Sequence, residues 1–320
     1  MTSILAAACA GRPLSRDEAE TLPRLLPGGF TDILAAAAAA RAAGKASLFT
    51  CGIMNAKSGR CSENCAFCAQ SRHHNTGAPV HPLVSEEKLL QRAATLASAG
   101  VDFMGIVTSG AALTGRDFDR VCRAARRISR ETDIRLCASL GLLSDDRAVA
   151  LRQAGFTRYH HNLESSRSFY SRICTTHAYE SRVETVKKAG AAGLSTCSGG
   201  IFGMGEGWPE RLELAITLRE LDVNSIPINF LTPIAGTALE HAAGLDAREA
   251  LAVIALFRLL LPQQDIVICG GRGRTLGEWE NSLVFAGANG LMVGDYLTTK
   301  GNSFEKDMAM LRVLGLAGDE

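Results

Sequence analysis

Short apolar runs rich in β-branched residues alternate with amphipathic helical patterns along most of this 320-residue chain. Eight such runs are predicted strands, at residues 48–53, 102–108, 134–140, 158–163, 194–198, 225–231, 266–270 and 291–295. Helices are predicted between them at 85–100, 144–155, 180–192, 210–221, 247–261 and 276–286. Strands that alternate with helices form parallel sheets covered by helices. Eight repeats favour the α/β class and a (β/α)8 barrel of the TIM type, with a doubly wound sheet as the alternative.

The segment before the first predicted strand has a different composition. Residues 14–45 include the alanine run 35–40, and alanine has the highest helix propensity. We therefore predict an N-terminal helical extension over residues 1–45 and a single barrel domain over residues 46–320.

Composition excludes several classes of partner. The formal net charge is +1, which gives no reason to expect nucleic acid or an anionic membrane surface. No stretch without charge reaches the length needed to cross a membrane. Ten cysteines without a recognisable secretion signal are typical of a reducing compartment, so we expect a cytoplasmic protein.

Three cysteines directly after the first predicted strand have the spacing C-x3-C-x2-C: Cys61, Cys65 and Cys68. Active sites of TIM barrels lie at the C-terminal ends of the strands, where these residues fall. Three thiolates can bind a four-iron cluster and leave one iron open, whereas electron-transfer clusters normally take four cysteines. A zinc site would pair its cysteines differently, and His73, His74 and His81 have no finger spacing. A zinc site and inert thiols remain the alternatives.

The triplet, with Phe67 just before its third cysteine, resembles the radical S-adenosylmethionine (SAM) enzymes. The resemblance implies a 4Fe-4S cluster whose open iron binds SAM. Reduction of that cluster then cleaves SAM to a 5'-deoxyadenosyl radical.

Four further cysteines fall on alternate predicted strands, the first, third, fifth and seventh: Cys51, Cys137, Cys197 and Cys269. In a packed barrel each interior layer takes one side chain from each of four alternate strands. If the four thiols face inward at similar height, they can hold a second iron–sulfur cluster. The alternative is that buried cysteine is a common small core residue. The three remaining cysteines, Cys9, Cys122 and Cys174, are interpreted as incidental.

Several motifs together resemble biotin synthases over roughly residues 47–307. They are Cys-Ser-Glu-Asn-Cys-Ala-Phe-Cys-Ala-Gln-Ser at 61–71, His-Asn-Leu-Glu at 161–164, Thr-Cys-Ser-Gly-Gly-Ile at 196–201, Pro-Ile-Asn at 227–229, Gly-Arg at 271–272, Ala-Gly-Ala-Asn at 286–289 and Leu-Thr-Thr at 297–299. The resemblance implies that sulfur is inserted into dethiobiotin at two unactivated carbons, with one SAM consumed for each. It also implies an auxiliary cluster that donates the sulfur, a flavodoxin or ferredoxin as reductant, and a homodimer.

The resemblance also assigns individual positions. Those expected to bind SAM, besides the three cysteines of the cluster, are Phe67, Thr108, Ser109, Gly110, Asn162, Glu164 and Arg182. Arg182 matches an arginine that pairs with the SAM carboxylate, for which a guanidinium is suited. Those expected to bind dethiobiotin are Asn162, Asn229, Thr298 and Thr299.

The match fails at the auxiliary cluster. The better-known family pattern uses three cysteines and an arginine on the strands, and two of these ligands are replaced here by Gly105 and Val267. Cys51 and Cys269 stand where that pattern has serine. We expect an altered auxiliary cluster, with a four-iron type favoured over 2Fe-2S. The alternatives for the whole chain are another radical SAM enzyme, such as a hydrogenase-cluster maturase, and a non-catalytic iron–sulfur electron carrier.

Overall fold

A computed structural model describes residues 3–45 and 47–314. The predicted boundary at residue 46 and the end of the predicted barrel domain, residues 315–320, lie outside these ranges. All strands are parallel and belong to one closed sheet. Their bounds are β1 Phe49–Lys57, β2 Phe103–Thr108, β3 Arg135–Ser139, β4 Phe156–His160, β5 Ser195–Cys197, β6 Gly200–Phe202, β7 Ser225–Phe230, β8 Asp265–Ile268 and β9 Gly290–Met292.

The helices cover the outside of the sheet and connect its strands. Their bounds are α1 Ser3–Cys9, α2 Arg16–Gly44, α3 Glu86–Ser98, α4 Gly115–Glu131, α5 Asp145–Gln153, α6 Arg167–Tyr170, α7 Tyr179–Ala191, α8 Trp208–Glu220, α9 Ala247–Leu260, α10 Arg272–Leu276 and α11 Phe304–Val313, with a 3-10 helix at Gly277–Leu283. Helices α1 and α2 precede the first strand, as predicted for an N-terminal helical segment.

The sheet closes into a barrel of eight positions, which confirms the predicted fold. The strand order is β5-β4-β3-β2-β1-β9-β8-β7-β6, and β5 also pairs with β7. Strands β5 and β6 are two pieces of one barrel position, because both pair with β7 and only two residues separate them. A side chain at Gly199, in that interruption, would meet the Pro227 carbonyl oxygen at 2.0 Å, so the chain can pass there only as glycine.

Three predicted elements differ from the structure at their ends. The fourth strand ends at His160 rather than at residue 163, because the chain turns inward there to reach β6. The seventh predicted strand corresponds to β8 and ends at Ile268, so Cys269 follows the strand instead of lying in it. The helix predicted over 276–286 is wrong: Gly277 has φ +53°, in the left-handed region, and a 3-10 helix follows a short α10.

Helix α2 packs against α9 on the outside of the barrel. It begins with a capping box, in which the Ser15 hydroxyl accepts from Glu18 N and the Glu18 carboxylate accepts from Ser15 N. Its alanine run buries Ala36, Ala37 and Ala40 completely, because side chains this small allow close approach of two helices. Within the described residues, no helix combines the length and apolar character that crossing a membrane requires.

Candidate active site

A single cavity of about 420 Å³ opens at the C-terminal ends of the strands. It is lined by both predicted groups of cysteines and by every other residue predicted to bind SAM or substrate. These residues come from nearly every part of the chain between β1 and the segment after β9. The barrel thus brings the predicted site residues to one place.

The loop after β1 holds the cysteine triplet in a compact turn. Its two ends are joined because Cys61 N donates to Gln70 O (3.0 Å) and Arg72 N donates to Cys61 O (2.9 Å). Within the loop, Cys68 N donates to Cys65 O at 2.9 Å. Burial raises the pKa of Cys68 to about 11, so this thiol needs a bound cation to ionise at neutral pH.

The segment after α6, residues 173–177, clamps this loop through several hydrogen bonds. Ala66 N donates to Ile173 O (2.8 Å), and the Asn64 side chain exchanges hydrogen bonds with Thr175. The Glu63 carboxylate accepts from the Thr176 hydroxyl at 2.6 Å and lies 2.5 Å from His177 Nδ1. These contacts hold the three cysteines against the barrel rim.

Cys174, interpreted as incidental, lies within this clamp. Its Sγ is 3.8 Å from the Sγ of Cys65, which donates to it, and 3.4 Å from His177 Nδ1. The hydrogen bond to Cys174, together with burial, raises the pKa of Cys65. Cys174 is thus a direct neighbour of a predicted cluster ligand, which its position in the sequence did not indicate.

Asn162, Glu164 and Arg182 form one buried polar group beside Cys65. Arg182 donates from Nε to the Tyr170 hydroxyl (2.7 Å) and from Nη1 to the Asn162 carbonyl oxygen (2.8 Å). Its Nη1 is 3.6 Å from the Glu164 carboxylate, and its Nη2 is 3.9 Å from Cys65 Sγ. Arg182 is only 8% exposed, so it is not an arginine on the solvated face of its helix.

The backbone around Glu164 is shaped to place its carboxylate in the cavity. Glu164 has φ +71°, an uncommon conformation for a residue with a side chain. Its backbone is held on both sides, because Glu164 N donates to Gly199 O (3.1 Å) and Ile201 N donates to Glu164 O (2.9 Å). The Asn162 side chain also accepts from Gly199 N at 3.1 Å. The interruption between β5 and β6 therefore supports the SAM-binding positions predicted on β4.

The segment after β2 provides backbone groups at the cavity rim. Ser109 N donates to Lys57 O at 2.9 Å, and its hydroxyl donates to Gly59 O at 3.0 Å, which ties it to the cysteine loop. Among the described residues, the buried Thr108 hydroxyl has no hydrogen-bond partner. A buried hydroxyl without a partner marks a place where a ligand can bind.

The other predicted substrate residues line the cavity from β7 and from the segment after β9. Asn229 on β7 donates from Nδ2 to Gly200 O (3.2 Å) and accepts at Oδ1 from Gly270 N (3.0 Å). These two bonds fix the orientation of its amide and leave one N–H and one lone pair for a ligand. Thr298 and Thr299 lie in the turn after β9, closed by the bond from Tyr296 N to Thr299 O (3.0 Å).

Strand register places three of the barrel cysteines at one height. In a barrel with a shear of eight, residues at equal height advance by about one position per strand. Cys51 is in register with Phe103 and Phe103 with Arg135, two residues before Cys137. The same relation, through Arg158 and Ser195, links Cys137 to Cys197.

The fourth cysteine lies higher than predicted. Cys197 is in register with Ser225, and Ser225 with Asp265, which puts Val267 at the height of the other three cysteines. Cys269 is two residues farther toward the cavity mouth. The four thiols still share the cavity, but they form three at one height and one above.

The four barrel thiols fit an iron–sulfur cluster in their chemistry and surroundings. All face the same cavity, and none forms a disulfide. Burial raises the pKa of Cys51 to about 12 and that of Cys137 and Cys269 well above the ordinary range. As free thiols they are neutral, so a metal must supply the charge that ionises them.

Sequence reasoning missed two basic side chains on β4 that face the same cavity. Arg158 and His160 alternate along β4 and line the cavity, and Asn162 lines it just after the strand ends. His160 Nδ1 is 3.4 Å from Cys197 Sγ, and burial lowers the pKa of His160 to about 4, so the ring is neutral. The alternation 158, 160, 162 in the sequence was the signal that could have revealed both.

Comparisons with known proteins agree with this geometry. The radical SAM superfamily model matches residues 56–218, and the model of the biotin and thiamin synthesis associated domain matches residues 227–317. A biotin synthase of Nitratidesulfovibrio vulgaris strain Miyazaki F is 55% identical over 95% of this chain and 86% of its own length. The chain belongs to the biotin synthase family. A second member, a biotin synthase of Geobacter sulfurreducens, is 56% identical over 83% of this chain and 81% of its own length.

A solved structure outside this family confirms the fold. The crystal structure of methylornithine synthase superposes with a TM-score of 0.84 and covers 99% of this chain and 98% of its own. Its sequence identity is 17%, so this likeness shows the architecture alone.

Proposed function

We propose that this protein converts dethiobiotin to biotin, as a biotin synthase of the radical SAM superfamily. The observation that supports this most strongly is the single cavity, which joins two separate cysteine groups and the polar residues of β4 and β7. An electron carrier gains from closed cluster coordination and has no use for such a cavity. Family membership favours biotin synthase over other radical SAM enzymes.

The residues at the cavity mouth are assigned to SAM. Cys61, Cys65 and Cys68 would hold a 4Fe-4S cluster, which together with SAM supplies homolytic abstraction of hydrogen from carbon. Arg182 is fixed by Tyr170 and Asn162, and it would hold the carboxylate of SAM with the Nη2 that these bonds leave available. The backbone of Thr108, Ser109 and Gly110 and the ring of Phe67 complete the assigned SAM positions.

Glu164 is assigned to the ribose hydroxyls of SAM, and the Asn229 amide to the ureido ring of dethiobiotin. The Glu164 carboxylate accepts from Asn162 Nδ2 (3.3 Å) and would also accept from the ribose hydroxyls of SAM. The donor and acceptor that Asn229 keeps are complementary to the C=O and N–H of a ureido ring. Asn162, Thr298 and Thr299 are the further positions assigned to dethiobiotin.

Cys51, Cys137, Cys197 and Cys269 are assigned to an auxiliary cluster that supplies the sulfur atom. Four thiols favour a four-iron cluster over 2Fe-2S. The better-known 2Fe-2S pattern needs a cysteine where this chain has Gly105 and an arginine where it has Val267. A side chain at Gly105 would lie 3.1 Å from Ile53, so this position offers little room for a ligand.

Further assignments rest on the family. A flavodoxin or ferredoxin is the proposed reductant, and a homodimer is the proposed assembly. The cytoplasm is the proposed location, which suits the many thiols that line the cavity without a disulfide. Residues 1–45 are proposed to be a helical extension of the barrel domain at 46–320.

The test is an anaerobic reaction of reconstituted protein with SAM, a low-potential reductant and dethiobiotin, followed by mass spectrometry. We expect biotin together with 5'-deoxyadenosine. The variant Cys65→Ala serves as the control for cluster-dependent SAM cleavage. Deoxyadenosine without biotin would retain the superfamily chemistry and refute the substrate, and neither product would refute both.

A further inference from the structure

Arg158 occupies the interior layer of the barrel directly below the cysteines at one height. The strand register puts one residue from each of β2, β4, β7 and β9 in this layer: Phe103, Arg158, Ser225 and Gly290. Ser225 and Gly290 are small, so they leave the centre of the layer to the arginine. Its guanidinium stacks on the Phe103 ring at 4.0 Å and is 5.4 Å from the Phe49 ring.

The guanidinium of Arg158 is poorly partnered for a buried charge. Among the described residues its Nε has no hydrogen-bond partner, and Arg158 is only 8% exposed. Its ion pair with Asp265 spans 3.7 Å, longer than a hydrogen bond. That carboxylate also accepts from Asn289 Nδ2 (2.9 Å) and is 3.5 Å from Lys45 Nζ.

Arg258 on α9 is also buried, but its guanidinium has many hydrogen-bond acceptors. Arg258 donates to four backbone carbonyl oxygens and to Asn289 Oδ1. Buried polar groups normally have such partners, because an unpaired one costs about 1–3 kcal/mol. Arg158 thus keeps hydrogen-bond donors for a group that enters the cavity.

The cysteines of the layer above are candidates to accept from those donors, because they and Arg158 line the same cavity. Burial raises the pKa of Cys51, Cys137 and Cys197, and the positive charge of Arg158 opposes this rise at all three. Four thiolates around a cluster place several negative charges in a water-poor layer, where a fixed cation stabilises them strongly. Donors to ligand sulfur atoms also tune the potential of such clusters.

We propose that Arg158 is the positioning residue of the auxiliary cluster, donating hydrogen bonds to its sulfur atoms and balancing its negative charge from below. This inference rests on the proposed function, because it needs a cluster on the barrel cysteines. It assigns to β4 a residue that the sequence motifs of the family did not point to.

The test uses the reconstituted protein and three variants: Arg158→Met, Arg158→Lys and Arg135→Met. Arg135 is a matched control because its guanidinium also stacks on the Phe103 ring, at 3.9 Å. Unlike Arg158, it is exposed and pairs with Asp102. Iron content, the Mössbauer spectrum and the rate of auxiliary-cluster loss to a chelator are measured. The reduction potential of the auxiliary cluster is measured by an EPR-monitored titration.

For Arg158→Met we expect auxiliary iron to be lost about 10–100-fold faster, with the SAM cluster retained. Arg158→Lys should retain the cluster for longer than Arg158→Met, and any cluster retained without the cation should have a more negative potential. Arg135→Met should match the wild type. Wild-type retention and potential in Arg158→Met would refute the proposal, as would equal loss in Arg135→Met, which indicates general loosening of the barrel floor.

Two other outcomes separate this proposal from the function on which it rests. Weaker dethiobiotin binding in Arg158→Met with a normal auxiliary cluster would refute the proposal and assign the arginine to substrate. A wild-type protein with no iron beyond the SAM cluster would refute the auxiliary cluster itself, and the role of Arg158 with it.

Discussion

Replacement of Arg182 by methionine tests the assignment of the SAM site most directly. Methionine keeps much of the length and apolar surface of the side chain while removing its charge and all its donors. In the structure Nε and Nη1 are already engaged with Tyr170 and Asn162, at 2.7 and 2.8 Å. Only Nη2, whose contact is Cys65 Sγ at 3.9 Å, is left for a ligand carboxylate.

The expected loss of SAM affinity follows from that single contact. A hydrogen bond to a charged group contributes about 1.5–3 kcal/mol, which corresponds to about a 10–150-fold increase in the Kd for SAM. Arg182→Lys keeps the positive charge without the planar donor geometry, so we expect an intermediate Kd. Lys187→Met, on the exposed side of the same helix, should bind SAM as the wild type does.

The assay is equilibrium binding of SAM to anaerobically reconstituted protein, with iron content and visible absorbance recorded for each variant. These two readouts separate loss of SAM binding from loss of the cluster to which SAM would bind. If Arg182→Met keeps its SAM cluster and binds SAM within about threefold of the wild type, the reasoning from its geometry is refuted.

Four further substitutions, one of them with a matched control, test other parts of the structure. Cys65→Ala should abolish SAM cleavage, measured as 5'-deoxyadenosine, and retained cleavage would contradict the cluster assignment. Cys269→Ala should lower auxiliary iron while leaving SAM cleavage largely intact, whereas Cys122→Ala, in a helix away from the cavity, should change neither. Asn229→Ala removes one good donor–acceptor pair, so the KM for dethiobiotin should rise about tenfold at unchanged SAM affinity. Arg258→Met leaves several buried carbonyl oxygens unpaired, so the unfolding free energy of the apo-protein in urea should fall by about 3 kcal/mol or more; a fall below about 1 kcal/mol would contradict this.

The sequence was most informative where a structural feature is formed by residues that are close together in the chain. The spacing of Cys61, Cys65 and Cys68 is visible in the sequence because all three lie in one short segment directly after the first strand. The strand–helix alternation likewise predicts the barrel, since each repeat is local. By contrast, Cys174 is 109 residues from Cys65 in sequence, and only the folding of α6 and the clamp brings the two sulfur atoms within 3.8 Å.

Other features were hidden because they depend on irregular backbone. The inward turn of Glu164 requires φ +71° and two flanking bonds to the interrupted fifth strand, neither of which the motif reveals. The height of Cys269 depends on where β8 ends and on how β7 pairs with β5. Inward alternation correctly predicts that a side chain faces the barrel axis, but it does not give height.

The strand register relates the two lost ligand positions to the two gained cysteines. Two positions of the better-known pattern, Gly105 and Val267, lack ligands, and Val267 is the residue at the height of the other three cysteines. Cys51 is in register with Met292, and Cys269 follows Ile268, which is in register with Leu291, so only β9 separates the two gained cysteines. Both gained thiols therefore stand on one side of the barrel, across from β4. A cluster on the four thiols would take two ligands from this side, and the other two, Cys137 and Cys197, from the strands that flank β4, where Arg158 lies.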